Sequence, residues 1–124
     1  MKTNTTSITS YGDITKKTTD QVVVNGKMVA QRLGKTAWEV YINHQLVIND
    51  EEGTTMHNAN YVRVDGVLTY SNAVNAFITD AYTASERESA LRKGILNAED
   101  EDYVEFNNFA EGVKKAVEWL KKMN

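Results

Sequence analysis

The sequence predicts an α+β fold, a hairpin-rich N-terminal antiparallel sheet of about five to six strands followed by two to three C-terminal helices. Three observations carry this reading. Up to Tyr70, short β-branched and aromatic runs alternate with turn dipeptides such as Asn25-Gly26 and Asp65-Gly66. From Val74 onward, apolar residues recur at helical spacing. Between these regimes lies AYTASERESALRKG, residues 81–94, with a helix end, a helix start and the densest mix of aromatic and basic groups. A chain of 124 residues reads as a single domain, 1–124, long enough to bury a core without staples.

Residues 1–20 are rich in Thr and Ser, with Ile8, Tyr11 and Ile14 as spaced apolar positions, a composition that fits either an edge strand or a loose arm. The sheet is expected over 21–70. Val22–Val24 leads into Asn25-Gly26, whose residues accept the positive φ of a type I′ turn, and the chain returns through residues 27–33. After Gly34, residues 36–42 alternate, with Trp38, Val40 and Ile42 on one face and Glu39, Tyr41 and Asn43 on the other. Asn43-His44 reads as a short turn before a strand over 45–49, and residues 50–53 as a solvated loop. A third hairpin is expected from residues 61–64 through Asp65-Gly66 to residues 67–70. Such a sheet needs one face covered, and the helical remainder is the expected cover.

The helical part is expected over 71–124. Ser71 or Asn72 can cap a helix whose stripe is Val74, Phe77, Ile78 and Ala81. Thr83 with Glu86, and Ser85 with Glu88, both fit the capping box, so a second helix is expected to start here, with one continuous helix as the alternative. Gly94 reads as its C′ residue. Residues 99–102 (EDED) open a last helix over about 103–122, with Phe106, Phe109, Val113, Ala116, Val117 and Leu120 on one face. Lys114, Lys115, Lys121 and Lys122 lie mainly opposite, and both charge groups suit the helix dipole. Gly112 and Ala116 form a small-residue stripe that would admit a close backbone neighbour within the fold or across a subunit interface.

Composition narrows the function. With no Cys there is neither a disulfide nor thiolate chemistry. A net charge of −3 argues against duplex nucleic acid as the partner. No apolar run approaches a membrane span, and the N-terminus lacks a signal-peptide core, so a cytoplasmic protein is expected. Two histidines without Cys fall short of a zinc site: His44 reads as a turn residue, and His57 could reach a ligand or simply bridge two loops. The Glu99–Asp102 run lacks calcium-loop spacing, and the scattered glycines form no phosphate loop. No nucleophile elbow is present and no cofactor is expected.

The remaining chemistry sits around residues 82–93. A helix N-terminus near Ser85 offers N–H groups to an anion. Arg87 and Arg92 can fork onto phosphate, while Phe77 and Tyr82 can present flat surfaces to a base. The same charges also fit a solvated helix face, since Glu88 and Arg92 have the favourable i,i+4 order. Asn58, Asn60 and Arg63, from MHNANYVR, could complete a pocket if that segment lies near Arg87, or simply satisfy a turn.

The succession of short hairpins, GKTAWEVYINHQLVIND, YVRVDGVLTYSNAV, AYTASERESALRKGI and a final amphipathic helix resembles the small phage proteins that counter Thoeris defence by sequestering its cyclic ADP-ribose signal. The resemblance covers about residues 20–124 and rests on size and layout. It implies a non-enzymatic sponge that holds glyco-cyclic ADP-ribose isomers, and for some members cyclic oligonucleotides, in the cytoplasm of an infected host cell. It also implies a homodimer or larger homo-oligomer with pockets near subunit contacts. Phe77, Tyr82, Arg87 and Arg92 have the chemistry the resemblance asks of the site. The competing expectations are a small phage protein that inhibits or assembles with a protein partner, and an enzyme acting on a small phosphorylated compound.

Overall fold

The computed structural model describes residues 8–12, 20–49 and 51–122. The chain is α+β: an antiparallel sheet precedes three α-helices. It divides into two compact units, the sheet and a helical unit beginning at Thr69.

The sheet unit is built on a four-strand meander. Its strands are β2 (Gln21–Val24), β3 (Lys27–Leu33), β4 (Ala37–Asn49) and β5 (Thr54–Asp65), and a short strand β1 (Ile8–Gly12) adds to the far side of β5. The order is β1-β5-β4-β3-β2, every pair antiparallel. The edge-strand reading of the N-terminal segment holds for Ile8–Gly12, while the rest of residues 1–19 lies outside the described residues. The Asn25-Gly26 turn forms as expected, with φ of 52° and 76° at its two residues.

Between residues 21 and 70 there are four strands where the sequence suggests six, for two reasons. Asn43-His44 does not reverse the chain. Asn43 takes its positive φ of 56° inside β4, where the register shifts between Ile42 and Gln45. The expected turn is a β-bulge, an extra residue absorbed within one strand. β4 therefore runs on for 13 residues and turns only at the acidic loop ending in Gly53, with Asn49 opposite Thr54. The stretch MHNAN, expected as a loop, belongs to the 12-residue β5.

The second correction is at Asp65-Gly66. Gly66 has the expected positive φ, but residues 67–70 do not return as a strand. Thr69 instead caps a helix: its hydroxyl accepts from the Asn72 amide at 3.1 Å, and α1 (Tyr70–Ala81) begins one residue later. A strand there would forfeit that cap, worth about 1 kcal/mol. The cap thus lies earlier than the expected Ser71 or Asn72.

One face of the sheet gathers Met28, Tyr41 and Ala59 into a buried cluster, with Tyr11 and Tyr61 packed against it. Tyr41 keeps only 4 % exposure. Val40, Ile42, Val62 and Val64 are also buried.

The helical unit contains α1, α2 (Ala84–Leu96), α3 (Glu101–Ala116) and a closing 3-10 helix, Glu118–Lys122. The predicted α1 stripe is buried throughout, as are Phe106, Val113, Val117 and Leu120. Thr83 breaks the helices with a full capping box: its hydroxyl accepts from the Glu86 amide, and Glu86 Oε1 accepts from the Thr83 amide at 2.9 Å. Gly94 is not a stop signal. α2 continues to Leu96 and ends at Asn97, and Gly94 sits where any added Cβ would land on the Tyr103 ring. Gly94 is small for packing between α2 and α3, not for its φ. Gly112 is open, with nothing within 4 Å of where its Cβ would lie.

Candidate functional site

The seven residues singled out by sequence fall in both units. Phe77 is completely buried in α1, and Tyr82 keeps only 2 % exposure. Tyr82 is held edge-on by Phe106 and Phe109, at centroid separations of 5.1 and 5.5 Å. Its hydroxyl donates to Glu105 Oε1 at 3.4 Å. Burial, reinforced by the Glu105 carboxylate, pushes its pKa up to about 12. Neither ring offers a face to a ligand in this conformation; both hold the unit together.

The arginines are engaged locally. Arg87 Nη1 donates to Asn75 Oδ1 at 3.3 Å, tying the start of α2 to α1. Arg92 Nη2 meets Glu88 Oε1 at 3.0 Å, with both side chains about two-thirds or more exposed. That pair is the solvated i,i+4 arrangement, worth about 0.3–0.5 kcal/mol. The Glu86 carboxylate occupies the N-terminus of α2 through the capping box. The corner is therefore largely satisfied by its own groups.

In the sheet unit, Asn60 Oδ1 accepts from Asn43 Nδ2 at 2.9 Å, across the bulge. Asn58 stands opposite Ser10 of β1 and Gln45 of β4. Arg63 pairs with Asp65 at 2.9 Å and stands opposite Glu39. Because side chains alternate along a strand, Asn58 and Asn60 point to one face of β5 and Arg63 to the other. The three do not form one cluster.

A concave site appears elsewhere in the helical unit. Tyr70, Glu111, Lys114, Lys115, Glu118 and Lys121 line an open groove of about 390 Å³. Lys121 Nζ lies 4.7 Å from the centre of the Tyr70 ring, a cation–π contact. Lys114 is shared with Glu111 at 3.4 Å. Three lysines against two glutamates leave one positive charge in excess. The sequence placed these lysines on a solvent-facing side by assuming one helix through Lys122. Instead α3 stops at Ala116, Val117 leaves helical geometry, and the tighter 3-10 turn carries Lys121 back over Tyr70. The residue types were legible; their convergence depends on that break.

Among the described residues, no group of three His, Asp or Glu side chains is arranged to hold a metal ion, and no helix is long and apolar enough to cross a membrane. No protein-family model matches the chain, and neither does any curated protein or solved structure.

Proposed function

We propose that this protein is a non-enzymatic binder that sequesters a small anionic nucleotide, of the cyclic ADP-ribose or cyclic oligonucleotide class, as a phage-type anti-defence sponge acting in the host cytoplasm as a homo-oligomer. The observation that carries the reading is the groove of Tyr70, Lys114, Lys115 and Lys121. Its volume, about 390 Å³, falls in the range that takes small ligands. The aromatic ring can stack on a base once Lys121 swings to a phosphate, and three ammonium groups are within one site. The resemblance of the sequence layout to the sponges that counter Thoeris is what suggests the ligand class. Sequestration asks only for tight binding of the ground state, without transition-state machinery.

The test is to mix purified protein with a glyco-cyclic ADP-ribose and, separately, a cyclic dinucleotide, measure depletion, then denature by heat and assay what is released. Depletion followed by recovery of intact ligand supports the reading; no depletion at micromolar protein rejects it. Lys114→Glu with Lys121→Glu should weaken uptake at least tenfold, since one charge-assisted contact is worth about 1.5–3 kcal/mol. Arg87→Ala and Arg92→Ala test the α1–α2 corner in the same assay. Loss of uptake there, with the lysine variant unaffected, would move the site to the corner.

A second reading, a protein that inhibits or assembles with a protein partner, is favoured by α2, where Ile95 is 86 % and Leu96 83 % exposed, with Leu91 one turn before Ile95. A stable complex pulled down by wild-type protein and lost with Ile95→Glu, without nucleotide uptake, would select it.

A further inference from the structure

The sheet unit holds a cluster the nucleotide reading does not use. The Tyr11 side chain reaches from β1 to three other strands. Its ring stacks on His57 of β5, 4.9 Å between centroids and 10° between planes. Its hydroxyl lies 2.8 Å from His44 Nδ1 in the β4 bulge. The same hydroxyl oxygen accepts from the Met28 amide of β3 at 3.3 Å. Beyond the ladder to β5, the Tyr11 side chain ties the five-residue β1 to β4 and β3.

The Tyr11 oxygen accepts from the Met28 amide, and a single proton bridges Tyr11 and His44 Nδ1 while the imidazole is neutral. On the other side of the ring, Nε2 is buried with no hydrogen-bond partner. We propose that the Tyr11–His44 contact is a proton-sensitive latch that holds edge strand β1 against β5 and releases it when His44 gains a second proton.

The imidazolium carries a proton on both ring nitrogens, so Nδ1 can no longer accept from the Tyr11 hydroxyl. The new charge lies in a half-buried site, with the Nε2 N–H facing no acceptor. The groups facing His44 compound the effect: Lys27 at the start of β3 and His57 of β5 both repel a cation, and on β4 only the Tyr41 carbonyl favours it. Burial first, then Lys27, holds the His44 pKa below its ordinary value of 6.5. The sign follows. A depressed folded-state pKa means the open state binds the proton more readily, so the latch is complete above about pH 6.5 and weakens as pH falls below it. The bulge made by Asn43 is what places His44 within reach of Tyr11, which gives the irregularity in β4 a purpose.

Amide exchange by NMR on the full labelled chain, corrected for the intrinsic pH dependence of exchange, tests the latch between pH 7.5 and 5. In wild type, protection of the β1–β5 ladder should fall about tenfold for each pH unit below 6.5, until the folded-state pKa is reached. The β3–β4 ladder, Ala30–Leu33 against Ala37–Val40, should hold its protection over the same range. His44→Gln should make the β1 response flat, and His57→Gln should leave it in place. A β1 ladder insensitive to pH in wild type, or the same sensitivity in His44→Gln, overturns the proposal. Loss of both ladders together also overturns it, because that is global unfolding. If His44→Gln does not fold, Tyr11→Phe decides: it should lower β1 protection at pH 7.5 and blunt the response, and a full wild-type response would refute the latch.

Discussion

At the scale of single residues, the informative positions are those where one atom more or less changes sign. Gly94 is such a case. In the last turn of α2, Ala is preferred over Gly by up to about 1 kcal/mol, so propensity alone predicts that Gly94→Ala stabilises. The Tyr103 ring occupies the place of the new methyl, and overpacking costs about 1–3 kcal/mol. Packing wins, and Gly94→Ala should lower stability by about 1–2 kcal/mol, measured as the urea midpoint. Tyr82 separates its two roles in the same way. Tyr82→Phe removes only a 3.4 Å hydrogen bond to Glu105 and should cost under about 1 kcal/mol. Tyr82→Ala leaves a cavity against Phe106 and Phe109 and should cost about 3–5 kcal/mol. A ring waiting at the surface for a ligand would show little loss in either variant, so thermal denaturation without ligand reads the role directly.

At the scale of elements, local signals were sound wherever one side chain closes its own turn. The Thr83–Glu86 capping box is complete, and Thr83→Ala should cost about 1 kcal/mol by removing the acceptor of the Glu86 amide. A drop of a few degrees in Tm, recovered by Thr83→Ser, would confirm it. The α1 stripe and the Asn25-Gly26 turn were legible for the same reason: period and turn chemistry depend on neighbours a few residues away. Two failures share the opposite cause. Asn43-His44 has turn composition, and Asn43 adopts a turn-like φ, yet the pairing of β4 with β5 continues past it. Asp65-Gly66 has hairpin composition, yet the Thr69 cap recruits the next residues into α1. In both, a dipeptide states that the backbone bends, while longer-range pairing decides whether the chain reverses. The candidate site was less legible. Phe77 and Tyr82 had the right chemistry for a base, but Phe77 is buried with the stripe of α1, and Tyr82, which follows α1, packs against Phe106 and Phe109. The lysine groove depends on where α3 breaks, near Val117, which no cap or glycine announces.

At the scale of the whole molecule, both units carry titrating groups whose burial favours the neutral form, which bounds the pH range of full stability from both sides. On the acid side the group is His44, whose depressed pKa makes stability fall below about pH 6.5. On the alkaline side the groups are tyrosines. Burial raises Tyr11, against the opposing Met28 amide; burial and then Glu39 raise Tyr41 further; and burial with Glu105 raises Tyr82 to about 12. A tyrosine raised above 10 stays protonated longer when folded. Its contribution is complete below pH 10 and is lost as pH climbs through the folded-state value. Unfolding free energy should therefore plateau between about pH 6.5 and 10 and decline on both sides. Tyrosinate absorbance and circular dichroism, recorded in one alkaline titration, check the upper edge. Tyr11, Tyr41 and Tyr82 should ionise late, the last of them together with the loss of secondary structure. In Tyr82→Phe the late absorbance should shrink by one tyrosine, and the alkaline decline should become shallower. If Tyr41 and Tyr82 ionise near pH 10 while the circular dichroism is unchanged, the clusters around them are open to solvent, and the packing described for both units is wrong.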